Sequence, residues 1–147
     1  MALSVGTAAP AFSVKDTNGN PVSLADFAGK TVVLYFYPKD DTPGCTKEAC
    51  NFRDNYSVYQ GKDIVVLGVS VDDVNSHQQF TEKFSLPFPL LADVDKQLTT
   101  AYDADGGGYS KRITYVIDGE GKIIKVYDYG TVKTDTHAVD ILADLGL

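Results

Sequence analysis

The chain has 147 residues, 44% hydrophobic and 22% charged, and its 13 basic and 20 acidic side chains leave a net charge of −7. That describes one ordinary globular domain over residues 1–147, able to bury roughly two-thirds of its unfolded surface. The negative charge argues against nucleic acid or anionic membrane as a partner, and no apolar run approaches the ~20 residues of a membrane-spanning helix.

At the N-terminus, MALSVGTAAPAF lacks the basic start and long apolar stretch of a secretory signal, so a cytoplasmic location is expected. AFSVKDTNGNPVSL carries an Asn-Gly turn between two short apolar runs and predicts a β-hairpin. TVVLYFY, residues 31–37, is apolar on both alternating faces and predicts a central strand covered on both sides. A helix follows from about Pro43 to Tyr59. DIVVLGVSV, residues 63–71, predicts a second central strand and completes a strand–helix–strand crossover. A helix over about 73–84 precedes PFPLLAD, and DADGGGYS, residues 103–110, predicts a short flexible loop. RITYVIDGEGKIIKVYDY, residues 112–129, predicts a hairpin with a glycine-containing turn, and DTHAVDILADLGL an amphipathic last helix. This order is that of a thioredoxin-like α/β fold, a central mixed β-sheet flanked by helices, with an N-terminal β-hairpin.

Two cysteines are too few for a disulfide scaffold, and in a reducing compartment such a pair points to catalysis or metal binding. Both fall at the start of the first helix, in TPGCTKEAC. Thr42 is a good N-cap, and Pro43 suits the first helical position, where its missing N–H costs nothing. Cys45 then occupies the slot that an acidic residue fills in a capping box. A thiolate there meets unpaired amides and the positive end of the helix dipole, which lowers a thiol pKa from ~8.5 toward ~3.5–7.5. Cys45, Ala49, Phe52, Tyr56 and Tyr59 recur at alternating helical spacings and form one inner stripe. Cys50 lies about 140° round the helix from Cys45. Their Cα atoms would be roughly 8.6 Å apart in an intact helix, whereas a disulfide needs about 4.4–6.8 Å. A bond between them therefore requires the first turns to unwind.

These residues leave several readings open. Two core cysteines are disfavoured because Cys50 lies off the stripe. A metal site has loose spacing and only remote histidines, His77 and His137, although folding could bring His137 close. Both histidines are otherwise expected at the surface. A general thiol–disulfide oxidoreductase favours Cys-x-x-Cys, and a metal-binding or chaperone module on the same fold is a further class. Arg53 reads either as contacting the active-site loop or, as the favoured reading, as pairing with Asp54 or another acid. Glu48, on the flank of the stripe, reads equally as a solvated helix residue or a pocket member. The sequon at Asn55 is discounted inside a helix, and DADGGG lacks the later acids of a calcium loop.

PKDDTPGCTKEACNFRD resembles the active-site segment of the peroxiredoxins, specifically the Q-type (bacterioferritin-comigratory-protein) subgroup. Pro38, Thr42 and Cys45 match the family's Pro-x-x-x-Thr-x-x-Cys, and Cys50 matches the subgroup's second cysteine. The likeness continues through GTAAPAFSVKDTNGNPVSL, GVSVDDVNSHQQF, LPFPLLADVDKQL and RITYVIDGEGKI. It implies a thioredoxin-fold peroxidase that reduces hydrogen peroxide and alkyl hydroperoxides in antioxidant defence. Cys45 would be the peroxidatic thiolate, oxidised to sulfenic acid, and Cys50 would resolve it as an intramolecular disulfide. A thioredoxin-like reductant would then recycle the enzyme. Arg112 would hold the peroxide and the thiolate, Thr42 would hydrogen-bond the sulfur or the peroxide, and Pro38 would shield a pocket walled partly by Tyr35 and Tyr37. No cofactor is implied, because sulfur carries the electrons, and the subgroup points to a monomer. One departure lies before Arg112, where YDADGGGYSKR is shorter than in many relatives and lacks their tryptophan.

Overall fold

The computed structural model describes residues 2–128 and 131–146. Strands β1 (Ser13–Lys15) and β2 (Pro21–Ser23) form the expected N-terminal hairpin. Asp16 closes its turn by accepting from the Asn18 and Asn20 amides, and Gly19 supplies the φ of +78° that the turn requires. A short 3₁₀ turn (Leu24–Phe27) leads to β3 (Thr31–Phe36), α1 (Pro43–Asp54), α2 (Tyr56–Gly61) and β4 (Ile64–Ser70). Then come α3 (Val74–Phe84), β5 (Leu90–Ala92), α4 (Gln97–Ala101), β6 (Ile113–Ile117), β7 (Ile123–Tyr127) and α5 (His137–Asp144). One sheet runs in the order β2-β1-β5-β4-β3-β6-β7. β3, β4 and β5 are parallel, whereas β6, β7 and the N-terminal hairpin join antiparallel.

The double-sided apolar pattern of β3 reflects two separate cores. Val33, Tyr35 and Tyr37 face α1, α3 and α5, packing with Phe52, Phe80 and Ile141. Val32, Leu34 and Phe36 face the other side, with Phe12, Leu98 and Tyr115. Burial on both faces is what a central strand in a helix-covered sheet demands.

The helix expected over 43–59 is broken at Asn55. Asn55 leaves the helical region (φ −110°, ψ 6°), and its Nδ2 donates at 2.8 Å to the Asn51 carbonyl, the acceptor a continuing helix would give to the residue 55 amide. This local competition ends α1 and starts α2, with Tyr59 still buried. Residues 103–110, expected as a flexible loop, form a closed turn with an Asp105–Ser110 bridge and a Lys96–Asp105 ion pair at 2.8 Å. The 112–129 hairpin extends to Tyr127 as strand; Tyr129, and Leu147 of the last expected helix, lie outside the described residues. α4 was not anticipated, since a five-residue helix is too short to show periodicity.

Candidate active site

β3 delivers the chain into the loop Pro38–Thr42, which is tied to the neighbouring helix. Asp40 is buried and accepts from Tyr37 OH and from Ser76 Oγ at 2.8 Å, with His77 Nδ1 at 2.7 Å. Its own amide donates to Asp72 Oδ2 at 2.8 Å. His77 Nε2 lies 2.9 Å from the Leu91 carbonyl, and the ring is fully buried, contrary to its expected surface position. The signal was present: His77 stands three residues before Phe80 on the inner face of α3. Asp41 is left-handed at φ +60° and pairs with Lys83 at 2.8 Å.

Thr42 takes the extended N-cap conformation, and its carbonyl accepts from Thr46 at 2.8 Å. Its hydroxyl does not cap the helix but donates to the Lys39 carbonyl at 3.0 Å. Among the described residues, the Gly44 and Cys45 amides therefore have no protein acceptor. Both point from the positive end of α1.

Cys45 is 1% exposed and a free thiol. Arg112, immediately before β6, is aimed at it by the antiparallel pairing of Ile113 with Phe36. Arg112 Nη2 donates to Cys45 Sγ at 3.2 Å, and Nη1 donates to Glu48 Oε1 at 2.7 Å. A Cβ at Gly44 would stand 3.2 Å from Nη2, so glycine leaves the guanidinium its place. Pro38, Thr42 and Arg112 are half-buried around the sulfur's end of the helix. Cys50 is also free and half-buried, away from Arg112, and burial pushes its thiol pKa up against the pull of Arg53. Arg53 pairs with Asp54 at 2.9 Å as expected, and also donates to the Phe84 carbonyl at 2.8 Å.

Glu48 belongs to the site: it is fully buried. Its second oxygen, Oε2, has no hydrogen-bond partner and lies 4.0 Å from His137 Nε2, which bonds Thr114 Oγ1 at 2.9 Å. Burial pushes the Glu48 carboxyl up to about 7 against the pull of Arg112. Burial also pushes His137 down to about 4, opposed by Asp140. The two meet as neutral groups between these values, not as an ion pair. His137, expected at the surface, is fully buried because it shares the inner face of α5 with Ile141. Tyr35 and Tyr37 are core residues behind the sulfur, and Tyr35 stacks on Phe52 with ring centres 4.7 Å apart. Gly68 makes room for that ring, since a Cβ there would lie 2.8 Å from it. Among the described residues, Asp40, Asp72 and His77 bring ligand-type atoms within 4.8 Å of one another, all within the network just described and apart from both cysteines.

A helix-start cysteine buried against an arginine at the entry to β6, on a mixed sheet with helices on both faces, defines a thioredoxin-like thiol enzyme. Residues 5–126 match the model of the AhpC/TSA family, and the chain belongs to that family. It is 42% identical over 153 residues to peroxiredoxin Bcp of Bacillus subtilis, an alignment covering 99% of this chain and 96% of the relative. It is 44% identical over 129 residues to the chloroplastic peroxiredoxin Q of Triticum aestivum, covering 86% of this chain and 59% of the plant protein. The crystal structure of a cysteine-to-serine mutant of Xylella fastidiosa PrxQ superposes with a TM-score of 0.91 at 29% identity, covering 99% of this chain and 97% of that one. The fold is thioredoxin-like, and the chain is a thiol-dependent peroxidase of the peroxiredoxin kind. No helix among the described residues is long and apolar enough to cross a membrane.

Proposed function

We propose that Cys45 is the peroxidatic residue and Cys50 its resolving partner, in one domain spanning residues 1–147. The observation that carries this reading is the 3.2 Å contact from Arg112 Nη2 to Cys45 Sγ, which sets positive charge against a buried sulfur at a helix start. In the first step the Cys45 thiolate attacks one peroxide oxygen; an S–O bond forms, the O–O bond breaks, and the departing oxygen takes up a proton. Charge developing on that oxygen faces Arg112 and the free Gly44 and Cys45 amides, fixed donors that need no rearrangement. Thr42, whose own proton rests on the Lys39 carbonyl, offers its hydroxyl oxygen to a peroxide O–H. Pro38 forms part of the wall that excludes water.

The Cys50 thiol then displaces the sulfenic oxygen as water, and a thioredoxin-like protein reduces the resulting disulfide. The substrates are hydrogen peroxide and alkyl hydroperoxides, and the enzyme acts in the cytoplasm as a monomer, the monomeric state resting on the Q-type likeness. Two variants test it. Cys45→Ser abolishes peroxide reduction. Cys50→Ser consumes one equivalent of peroxide and stops, with Cys45 left as sulfenic acid; continued cycling with thioredoxin at the wild-type rate would overturn the resolving role.

A further inference from the structure

α5 has no N-cap of its own. Thr136, which precedes it, has φ −132° and ψ 0°, and its hydroxyl donates to Asp140 Oδ2 instead of accepting an amide. The acceptor comes from another helix: the Ala138 amide donates to Asn51 Oδ1 at 2.7 Å. Asn51 directly follows Cys50. The Ala138 carbonyl in turn accepts from Tyr59 OH at 2.6 Å. The first turn of α5 is thus bonded to α1 and α2 together.

These bonds divide α1. Beyond Asn51, Phe52 is fully buried against Tyr35, Tyr59 and His137, and Arg53 donates to the Phe84 carbonyl. Before it, the side-chain ties are those of Arg112 to Cys45 and Glu48, and Glu48 carries a buried oxygen without a partner. Opening residues 43–50 uncovers the small buried side chains of Cys45 and Ala49 and hydrates that carboxyl, whereas opening past Asn51 would also expose the much larger Phe52.

Resting on the roles proposed for Cys45 and Cys50, we infer that Asn51 is a positioning residue for the disulfide step. Its cap on α5 pins the second half of α1, so the helix opens from its N-terminus and stops at Asn51. Cys50 is left at the edge of the intact part, a fixed target for the arriving sulfur. There the Cys50 sulfur attacks the Cys45 sulfenic sulfur; the S–S bond forms, the S–O bond breaks, and the oxygen leaves as water with the Cys50 proton. The competing reaction is transfer of an oxygen from a second peroxide molecule, which gives sulfinate and water or an alcohol.

The ratio of sulfinate to disulfide at Cys45 after a fixed dose of hydrogen peroxide, read by mass spectrometry, tests this. Asn51→Ala raises the ratio about fivefold, the scale of one lost capping bond, and Asn51→Asp, which keeps an oxygen for Ala138, restores it. A merely destabilised α1 would open more readily and lower the ratio, so an unchanged or lower ratio in Asn51→Ala overturns the pin. A second arm forms the wild-type disulfide with diamide, without peroxide, and follows amide exchange. Fast exchange over 46–54, whose acceptor carbonyls lie at 42–50, with protection kept at Asn55, bonded to the Phe52 carbonyl, and at Ala138 supports the pin, and loss of protection at either overturns it. Were that boundary intact but wild-type protein consumed no peroxide, the peroxidase roles would fall and the pin would stand.

Discussion

Arg112 divides one guanidinium between the Cys45 sulfur at 3.2 Å and the Glu48 carboxyl at 2.7 Å. A lysine offers a point charge without the planar fork, so Arg112→Lys should slow the single-turnover reaction with peroxide by roughly 10²-fold while the fold persists. Stopped-flow consumption of peroxide by reduced protein measures this, and a rate within threefold of wild type would remove Arg112 from the chemistry. Gly44→Ala makes a subtler test. Its Cβ would crowd Nη2 at 3.2 Å, and a displaced guanidinium should cost about tenfold in the same measurement. The helix start at Thr42 and Cys45 was legible in the sequence because caps are local, whereas Arg112 came only from the family likeness, 67 residues along the chain from the sulfur. The partners of Glu48 were not, because Arg112 and His137 reach it from β6 and α5, far along the chain. The histidines misled for a related reason: a polar residue type outweighed the inner-face spacing that His77 shares with Phe80 and His137 with Ile141.

At the scale of the element, α1 must be stable enough to build the site and loose enough to open. Its first half holds the sulfur; its second half buries Phe52, which contributes about 1.5–3 kcal/mol and anchors the remainder. Oxidation should therefore lower the helical circular dichroism and speed amide exchange from Thr46 onward, the first amide of α1 with an acceptor in the reduced protein. An oxidised protein as helical and as protected there as the reduced one would contradict the opening. The central strands were legible as apolar runs because both faces are buried. The α1–α2 break was not, because it turns on one side-chain amide competing for the Asn51 carbonyl within an otherwise continuous apolar stripe.

For the whole molecule, the Glu48–His137 contact links site to stability. Folded, Glu48 keeps until about pH 7 a proton that the unfolded chain releases near 4.5, so its contribution falls as pH rises between those values. His137 refuses until about pH 4 a proton that the unfolded chain takes up near 6.5, so its contribution falls as pH drops between those values. In the shared window the two slopes oppose, and the wild-type stability is flat with respect to this pair. Glu48→Gln should lose stability on acidification through that window, and His137→Asn on alkalinisation, each by on the order of 2–3 kcal/mol. Urea midpoints across pH 4.5–6.5 decide this, and parallel profiles for the two variants would contradict it. The sheet that brings these residues together packs α1 and α5 against one face of β3, so one side of the sheet carries the thiol, its arginine, Glu48 and His137. The central claim, that two cysteines on one helix close a bond their helix forbids, is tested most directly by peptide mapping after one equivalent of hydrogen peroxide. Loss of two hydrogen atoms per chain and a Cys45–Cys50 cross-linked peptide, with no dimer formed, is the expected result. Stable sulfenic acid at Cys45 beside a free Cys50 thiol, or a disulfide between chains, would contradict it.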